Sequence, residues 1–281
     1  MWATLRLLLL SVLGPYATTL CFGFPQVRIV TFGDSLTVGE HVNHEASVRE
    51  YEPYANTLFY FIQQELSGCD LRIEYSGRPG ITAAQMVKDA SAPDLGILPI
   101  LADGGDTTPT LTVVVILAGT NDLNFYGQAS GQATAMSVNE LHHAVLNFSP
   151  VSHTIRTVAL GIPRSQSSVR NSTLDVHRSQ ACDIIEAAAR EDPRRAYFPC
   201  PIPSWLAPES ERHTTSEGTR LGGALEHTEH SASELWDLDG LHFSKRGYQE
   251  LGHRLSSPLA RFIEDSLRSI AKVDDEDTPE F

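Results

Sequence analysis

Apolar residues in this chain gather in short runs separated by polar, glycine-containing stretches. The runs stand at Val27–Phe32, Leu71–Tyr75, Leu111–Ala118 and Thr154–Ile162, with a weaker one at Ala196–Phe198. These short runs read as strands, the first four each ending in a glycine-containing turn. Between them the period becomes helical. Pro53 can open a helix in which Leu58, Ile62 and Leu66 share one face at i, i+4 and i+8. Ser137 and Glu140 have the spacing of a capping box ahead of Leu141 and Val145. Ile184, Ile185 and Ala188 stripe Thr173–Arg190, and Tyr248, Leu251 and Leu255 stripe a last helix that Pro258 is expected to interrupt.

Strands alternating with helices predict an α/β chain: a three-layer α/β/α doubly wound sandwich around a mainly parallel sheet of about five strands. In such sheets reactive groups collect at the carboxyl ends of the strands, so chemistry is to be sought immediately after each apolar run. Residues 203–235 break the alternation. Rich in Ser, Thr, Glu, His and Gly, they read as an inserted, lid-like loop.

The ends of the chain add context. Arg6, the apolar run Leu7–Leu13 and the small residues between Pro15 and Cys21 have the layout of a secretory signal peptide over residues 1–23. The run is short of the ~20 apolar residues that span a bilayer, so no membrane span is expected. The folded domain is then expected over 24–272, with an acidic, disordered tail at 273–281 that carries Asp274, Asp275, Glu276, Asp277 and Glu280. Secretion agrees with the glycosylation triplets at Asn171 and Asn147. Cys21, Cys69, Cys182 and Cys200 show no C-x-x-C spacing, which argues against a zinc or thioredoxin-like site, and loss of Cys21 would leave at most one disulfide.

Composition narrows the classes. With 281 residues, 41% hydrophobic and 20% charged, the chain is globular, and its formal charge of -14 repels phosphate backbones, so nucleic acid is not an expected partner. His213, His227 and His230 lie within the inserted loop, but a His-x-x-His without further ligands is a weak metal signal.

Four strand-end motifs carry candidate chemistry. After the first strand, Gly33-Asp34-Ser35-Leu36-Thr37 sets a serine on a tight turn into a helix, where backbone N–H groups can face an oxyanion. After the second, Ser76-Gly77-Arg78-Pro79-Gly80-Ile81-Thr82 lets the backbone approach a ligand closely. After the third, Gly119-Thr120-Asn121-Asp122 offers a side-chain amide. Near the end, Asp239-Gly240-Leu241-His242 is the one D-x-x-H in the chain, a spacing that brings a carboxylate beneath an imidazole. Each motif alone is also an ordinary turn; their order and position at strand ends give them weight.

Together these blocks resemble the SGNH subgroup of GDSL-type esterases and lipases, from Val27 to about Leu255. The resemblance implies the flavodoxin-like SGNH hydrolase fold. It makes Ser35 the nucleophile, His242 the general base and then acid, and Asp239 its orienting carboxylate. The N–H groups of Ser35 and Gly80 and the side chain of Asn121 would form the oxyanion hole. Gly80 is preferred to Gly77 because the family's donor glycine precedes a Thr or Ser by two residues, and Thr82 supplies it. The second block departs from the family in having Tyr75-Ser76 where Asn often stands.

The implied reaction is hydrolysis of a carboxylic ester, whether of short acyl groups, acetylated carbohydrate or lipid, without metal or organic cofactor. Acyl transfer to a hydroxyl at the same site, or noncatalytic carbohydrate or lipid binding, are the alternatives. A nucleotide-binding domain is disfavoured because no G-x-G-x-x-G or Walker loop follows the first strand. Trp205, Leu206 and Trp236 could line an acyl pocket, although packing onto the core is the ordinary role of such residues.

Overall fold

A computed structural model describes residues 24–103, 109–124, 129–148, 154–204 and 234–276. Five strands form its main sheet: β1 (Gln26–Gly33), β4 (Asp70–Gly77), β5 (Leu111–Leu117), β6 (Ile155–Leu160) and β7 (Arg195–Phe198). They lie side by side in the order β4-β1-β5-β6-β7, every pair parallel. The sheet therefore winds outward both ways from β1, and the crevices at the carboxyl end of β1 are where a doubly wound sheet receives ligands. All five expected strands are present, β1 and β4 running on to Gly33 and Gly77.

Alternate side chains of the central strands fill two cores. On one face Ile29, Val113, Val115 and Val158 pack with helix α2 (Tyr54–Glu65) and the terminal helix, α9 (Lys245–Glu276). On the other face Val30, Phe32, Val114 and Ile116 meet α3 (Ala83–Lys88), α4 (Ile97–Ala102), α6 (Gly131–Leu146) and α8 (Ser172–Glu191). Three short helices complete the set: α1 (Ser35–Val38), α5 (Thr120–Asn124) and α7 (Gln166–Arg170). The architecture is the expected three-layer sandwich.

Several local expectations are corrected. Ser137 and Glu140 do not cap a helix: α6 begins at Gly131, and the cap is Ser130, whose hydroxyl accepts from the Ala133 N–H at 3.2 Å. The earlier start buries Thr134 and Ala135 against the sheet and leaves Ser137 mid-helix. In α8 the buried face is Ala181, Cys182, Ile185 and Ala189, while Ile184 and Ala188 are only half-buried.

Pro258 does not interrupt α9, which continues to Glu276. An interior proline costs about 3 kcal/mol. Beyond it Leu259, Ile263 and Ile270 are all buried, each contributing roughly 1.5–3 kcal/mol, so burial outweighs the lost hydrogen bond. Hydroxyls of Ser256 and Ser257 also donate to Glu65 at 3.1 and 2.8 Å, fastening α9 to α2 beside the proline.

A two-stranded antiparallel hairpin, β2 (Glu40–Asn43) and β3 (Val48–Tyr51), was not expected. Its strands are only four residues each, too short to show a period. The thiols of Cys69, Cys182 and Cys200 are unpaired. Among the described residues no helix is long and apolar enough to cross a membrane. The signal-peptide segment, most of the 203–235 insertion with Trp205, Leu206, His213, His227 and His230, and the end of the acidic tail lie outside the described residues.

Candidate active site

β1 runs straight into the Ser35 turn. Asp34 caps α1, its carboxylate accepting from the Leu36 N–H at 2.9 Å, and Ser35 follows as the first helical residue. This puts the Ser35 hydroxyl at the carboxyl end of the central strand, in a largely enclosed position. Because β4 and β5 flank β1, the turns after all three strands converge there.

His242 reaches this point from the far end of the chain. Trp236 and Phe243 pair as an isolated antiparallel bridge, and the turn between them carries Asp239 and His242. His242 Nε2 lies 2.9 Å from Ser35 Oγ, and His242 Nδ1 lies 2.6 Å from Asp239 Oδ2. Partial burial works to raise the Asp239 carboxyl, but the His242 imidazole and the N–H groups of His242 and Leu241 hold it down at about 2. Asp239 is thus an acceptor, Nδ1 must carry a proton, and Nε2 is left with a lone pair facing the serine. Burial lowers the His242 pKa, yet the Asp239 bond, with the charges of Asp239, Glu40 and Asp34, outweighs it and leaves a net rise above 6.5.

The turns after β4 and β5 differ in freedom. Gly80 sits at φ +77°, in the left-handed region, and no heavy atom stands within 4 Å of where a Cβ would be. Its backbone lines an open cavity of about 390 Å³ together with Arg78 and Lys88. Gly77 is instead packed, since a Cβ there would stand 2.5 Å from the Asp34 carbonyl oxygen. Thr82 and Gln85 form a true capping box at the start of α3, immediately after Gly80.

Asn121 is fully buried, and its amide nitrogen donates to the Ile81 carbonyl at 2.8 Å and approaches Asp34 Oδ2 at 3.4 Å. The amide is thereby fixed between the nucleophile turn and the Gly80 loop. Replacing one oxyanion donor typically costs ~10²–10³ in turnover. Asn121→Ala is expected to lose kcat in that range on a short-chain nitrophenyl ester with little change in KM; a kcat equal to wild type would remove Asn121 from the oxyanion hole.

Of the five residues expected at the site, Ser35, His242 and Asp239 are in hydrogen-bond contact and Asn121 stands beside Asp34, while Gly80 lies on the loop after β4 and lines the cavity there. Two acids of the same motifs contribute without having been singled out. Asp122 accepts from the Ala83 N–H at 2.8 Å, tying the Asn121 turn to α3. Asp34 is wholly buried, and desolvation raises its carboxyl to about 7 in spite of the Leu36 N–H and the His242 charge. Their adjacency to Asn121 and Ser35 was the available signal. Trp236, considered for an acyl pocket, is instead buried: its indole N–H donates to the Pro203 carbonyl at 2.9 Å, and its ring packs edge-on to Phe243 at 4.7 Å.

Comparison with known proteins gives a consistent result. The profile of the GDSL-like Lipase/Acylhydrolase family matches residues 31–250. Among solved structures, an aryl esterase of M. smegmatis is similar at 18% identity and a TM-score of 0.55, over 84% of this chain and 99% of that one. Est24, a carbohydrate acetylesterase from Sinorhizobium meliloti, is similar at 18% identity and a TM-score of 0.54, over 83% and 98%. A comparison with curated proteins finds no match.

Proposed function

The chain belongs to the GDSL-like Lipase/Acylhydrolase family, serine hydrolases that act on esters, and from that premise we propose that it cleaves carboxylic esters through an acyl-enzyme on Ser35. The observation that carries this reading is the unbroken chain of contacts Ser35 Oγ, His242 Nε2, His242 Nδ1 and Asp239 Oδ2, at 2.9 and 2.6 Å.

Ser35 Oγ attacks the ester carbonyl while His242 Nε2 takes the hydroxyl proton. The N–H groups of Ser35 and Gly80 stabilise the oxyanion, joined by the Asn121 amide as it exchanges its long 3.4 Å contact with Asp34 for the developing charge. Collapse breaks the bond to the alcohol oxygen, which receives the proton from His242. Water then attacks the acyl-enzyme by the same route in reverse, releasing the acid and free Ser35. Asp239 stays ionised throughout, stabilising the imidazolium that forms in each half-reaction.

The two similar structures are an aryl esterase and a carbohydrate acetylesterase, which supports esters of short acyl groups, acetylated carbohydrates among them, as substrates. The basic residue and apolar run near the start of the chain support action in the secretory lumen or outside the cell.

Treatment with a fluorophosphonate is expected to add a single phosphonyl group, which peptide mapping locates on Ser35. Protein that takes no adduct, or takes it elsewhere, overturns the assignment of the nucleophile.

A further inference from the structure

We propose that the β2–β3 hairpin positions the catalytic turn, and that Asp237 and His44 are the positioning residues through which it acts; the proposal rests on the Ser35, His242 and Asp239 reading above.

Asp237 stands two residues before Asp239, and its side chain is only 3% exposed. A carboxylate so placed is costly unless its lone pairs are met. Two donors come from the hairpin: the Val42 N–H at 2.7 Å and His44 Nε2 at 2.6 Å. A third is the Leu238 N–H at 2.6 Å, from the turn itself. The main chain of Asp237 closes the same turn, its N–H donating to the His242 carbonyl at 2.9 Å and its carbonyl accepting from the Gly240 N–H at 3.0 Å. Asp237 is therefore the base of the turn that carries Asp239 and His242. Three donors reach its carboxylate, two of them from the hairpin, and its side chain is 3% exposed.

The hairpin is itself a fixed reference. It starts at Glu40, directly after the Gly39 cap of α1, the helix that Ser35 opens. The buried Tyr248 hydroxyl donates to the Glu40 carbonyl at 2.9 Å, and the Glu52 N–H donates to the Gly39 carbonyl at 2.9 Å. Thus the segment that follows the nucleophile grips the segment that holds its base. A separate tether, from the Gln166 N–H to the Gly240 carbonyl at 2.8 Å, holds the turn from another side. Loss of the Asp237 grip is therefore expected to loosen the turn without unfolding it.

A displacement of about 1 Å in a reacting group can cost ~10²-fold in rate. The test compares Asp237→Ala, His44→Ala and His44→Gln on p-nitrophenyl acetate, with active sites counted by fluorophosphonate titration. Asp237→Ala is expected to lose about 10²-fold in kcat per titrated site with KM unchanged. The acid limb of its pH profile should move to lower pH, because His242 is loosened from Asp239 while Glu40 and Asp34 still face it. His44→Ala should show a smaller loss in the same direction, and His44→Gln, whose amide can still donate to Asp237, should restore it.

His44 is half exposed, so its variants keep the test decisive even where Asp237→Ala fails to fold. A wild-type kcat per titrated site and an unmoved acid limb in the His44 variants overturn the proposal, as does a loss confined to the number of titrated sites. Retained activity in a Ser35→Ala control would instead refute the triad reading, whatever the hairpin variants do.

Discussion

Ser35→Ala is expected to lower kcat on a short-chain nitrophenyl ester by about 10⁶-fold, the loss seen when a serine nucleophile acting in concert with its base is removed. At ~1.4 kcal/mol per tenfold this is about 8 kcal/mol of transition-state stabilisation. The size follows from the geometry. The Ser35 hydroxyl is the atom that would form the acyl bond, and it stands 2.9 Å from His242 Nε2, in reach for its proton to be taken. Ser35 is small and nearly buried, so alanine leaves the packing of α1 intact and the loss cannot be put down to unfolding. Steady-state turnover, with circular dichroism as the folding control, checks it; a variant within tenfold of wild type would end the acyl-enzyme mechanism.

The second large effect is expected from Asp239→Asn, at about 10⁴-fold in kcat. The carboxylate 2.6 Å from His242 Nδ1 dictates which ring nitrogen is protonated. An amide can donate there instead, which favours a proton on Nε2 and leaves no lone pair for Ser35. The pH profile is a second readout. His242 must be neutral to act as base, and its pKa is raised above 6.5 chiefly through Asp239 acting against burial, so wild-type activity should fall as pH drops through a value above 6.5. Removing the carboxylate should move that limb downward. An Asp239→Asn enzyme with near wild-type kcat and an unshifted limb would show that another group orients His242.

The same pair sets a stability window. Asp239 is held at about 2 against an ordinary 3.8, so its contribution is present above 3.8 and is lost as pH falls toward 2. His242 is shifted upward, so its contribution is complete below 6.5 and is lost as pH rises through the raised value. Both contributions hold together between roughly pH 4 and 6.5, below the range where the enzyme should be most active.

Much of this was legible from residues alone, for identifiable reasons. The central strands β1, β5 and β6 are buried along almost their whole length, so aliphatic residues dominate their sequences, whereas the edge strand β4 alternates Leu71, Ile73 and Tyr75 with polar residues. Ser35, Gly80 and Asn121 occupy turns that end those strands, where glycine marks the turn, while Asp239 and His242 stand on a separate turn that the D-x-x-H spacing marks. What escaped reading depends on partners distant in sequence. Pro258 predicts a break because local chemistry disfavours it, but the burial of Leu259 and Ile263 is decided by α2, nearly two hundred residues earlier. Ser137 and Glu140 match a capping pattern, yet tertiary burial of Ala135 pulled the helix start upstream to Ser130. Asp237 lacks the D-x-x-H spacing that marks Asp239, and its partner, a hairpin of four-residue strands, leaves little trace in the pattern.

The separation of the nucleophile from its base, 207 positions along the chain, bears on biosynthesis. Closing so long a loop carries an entropic cost that only the nearly complete sheet can offset. A nascent chain that has exposed Ser35 but not yet the D-x-x-H segment has no base and cannot attack esters in its surroundings. Turnover is thus a signal of completed folding: in a denaturation or refolding series, esterase rate should track the docking of α9 and its preceding turn onto the first strand, and should return last.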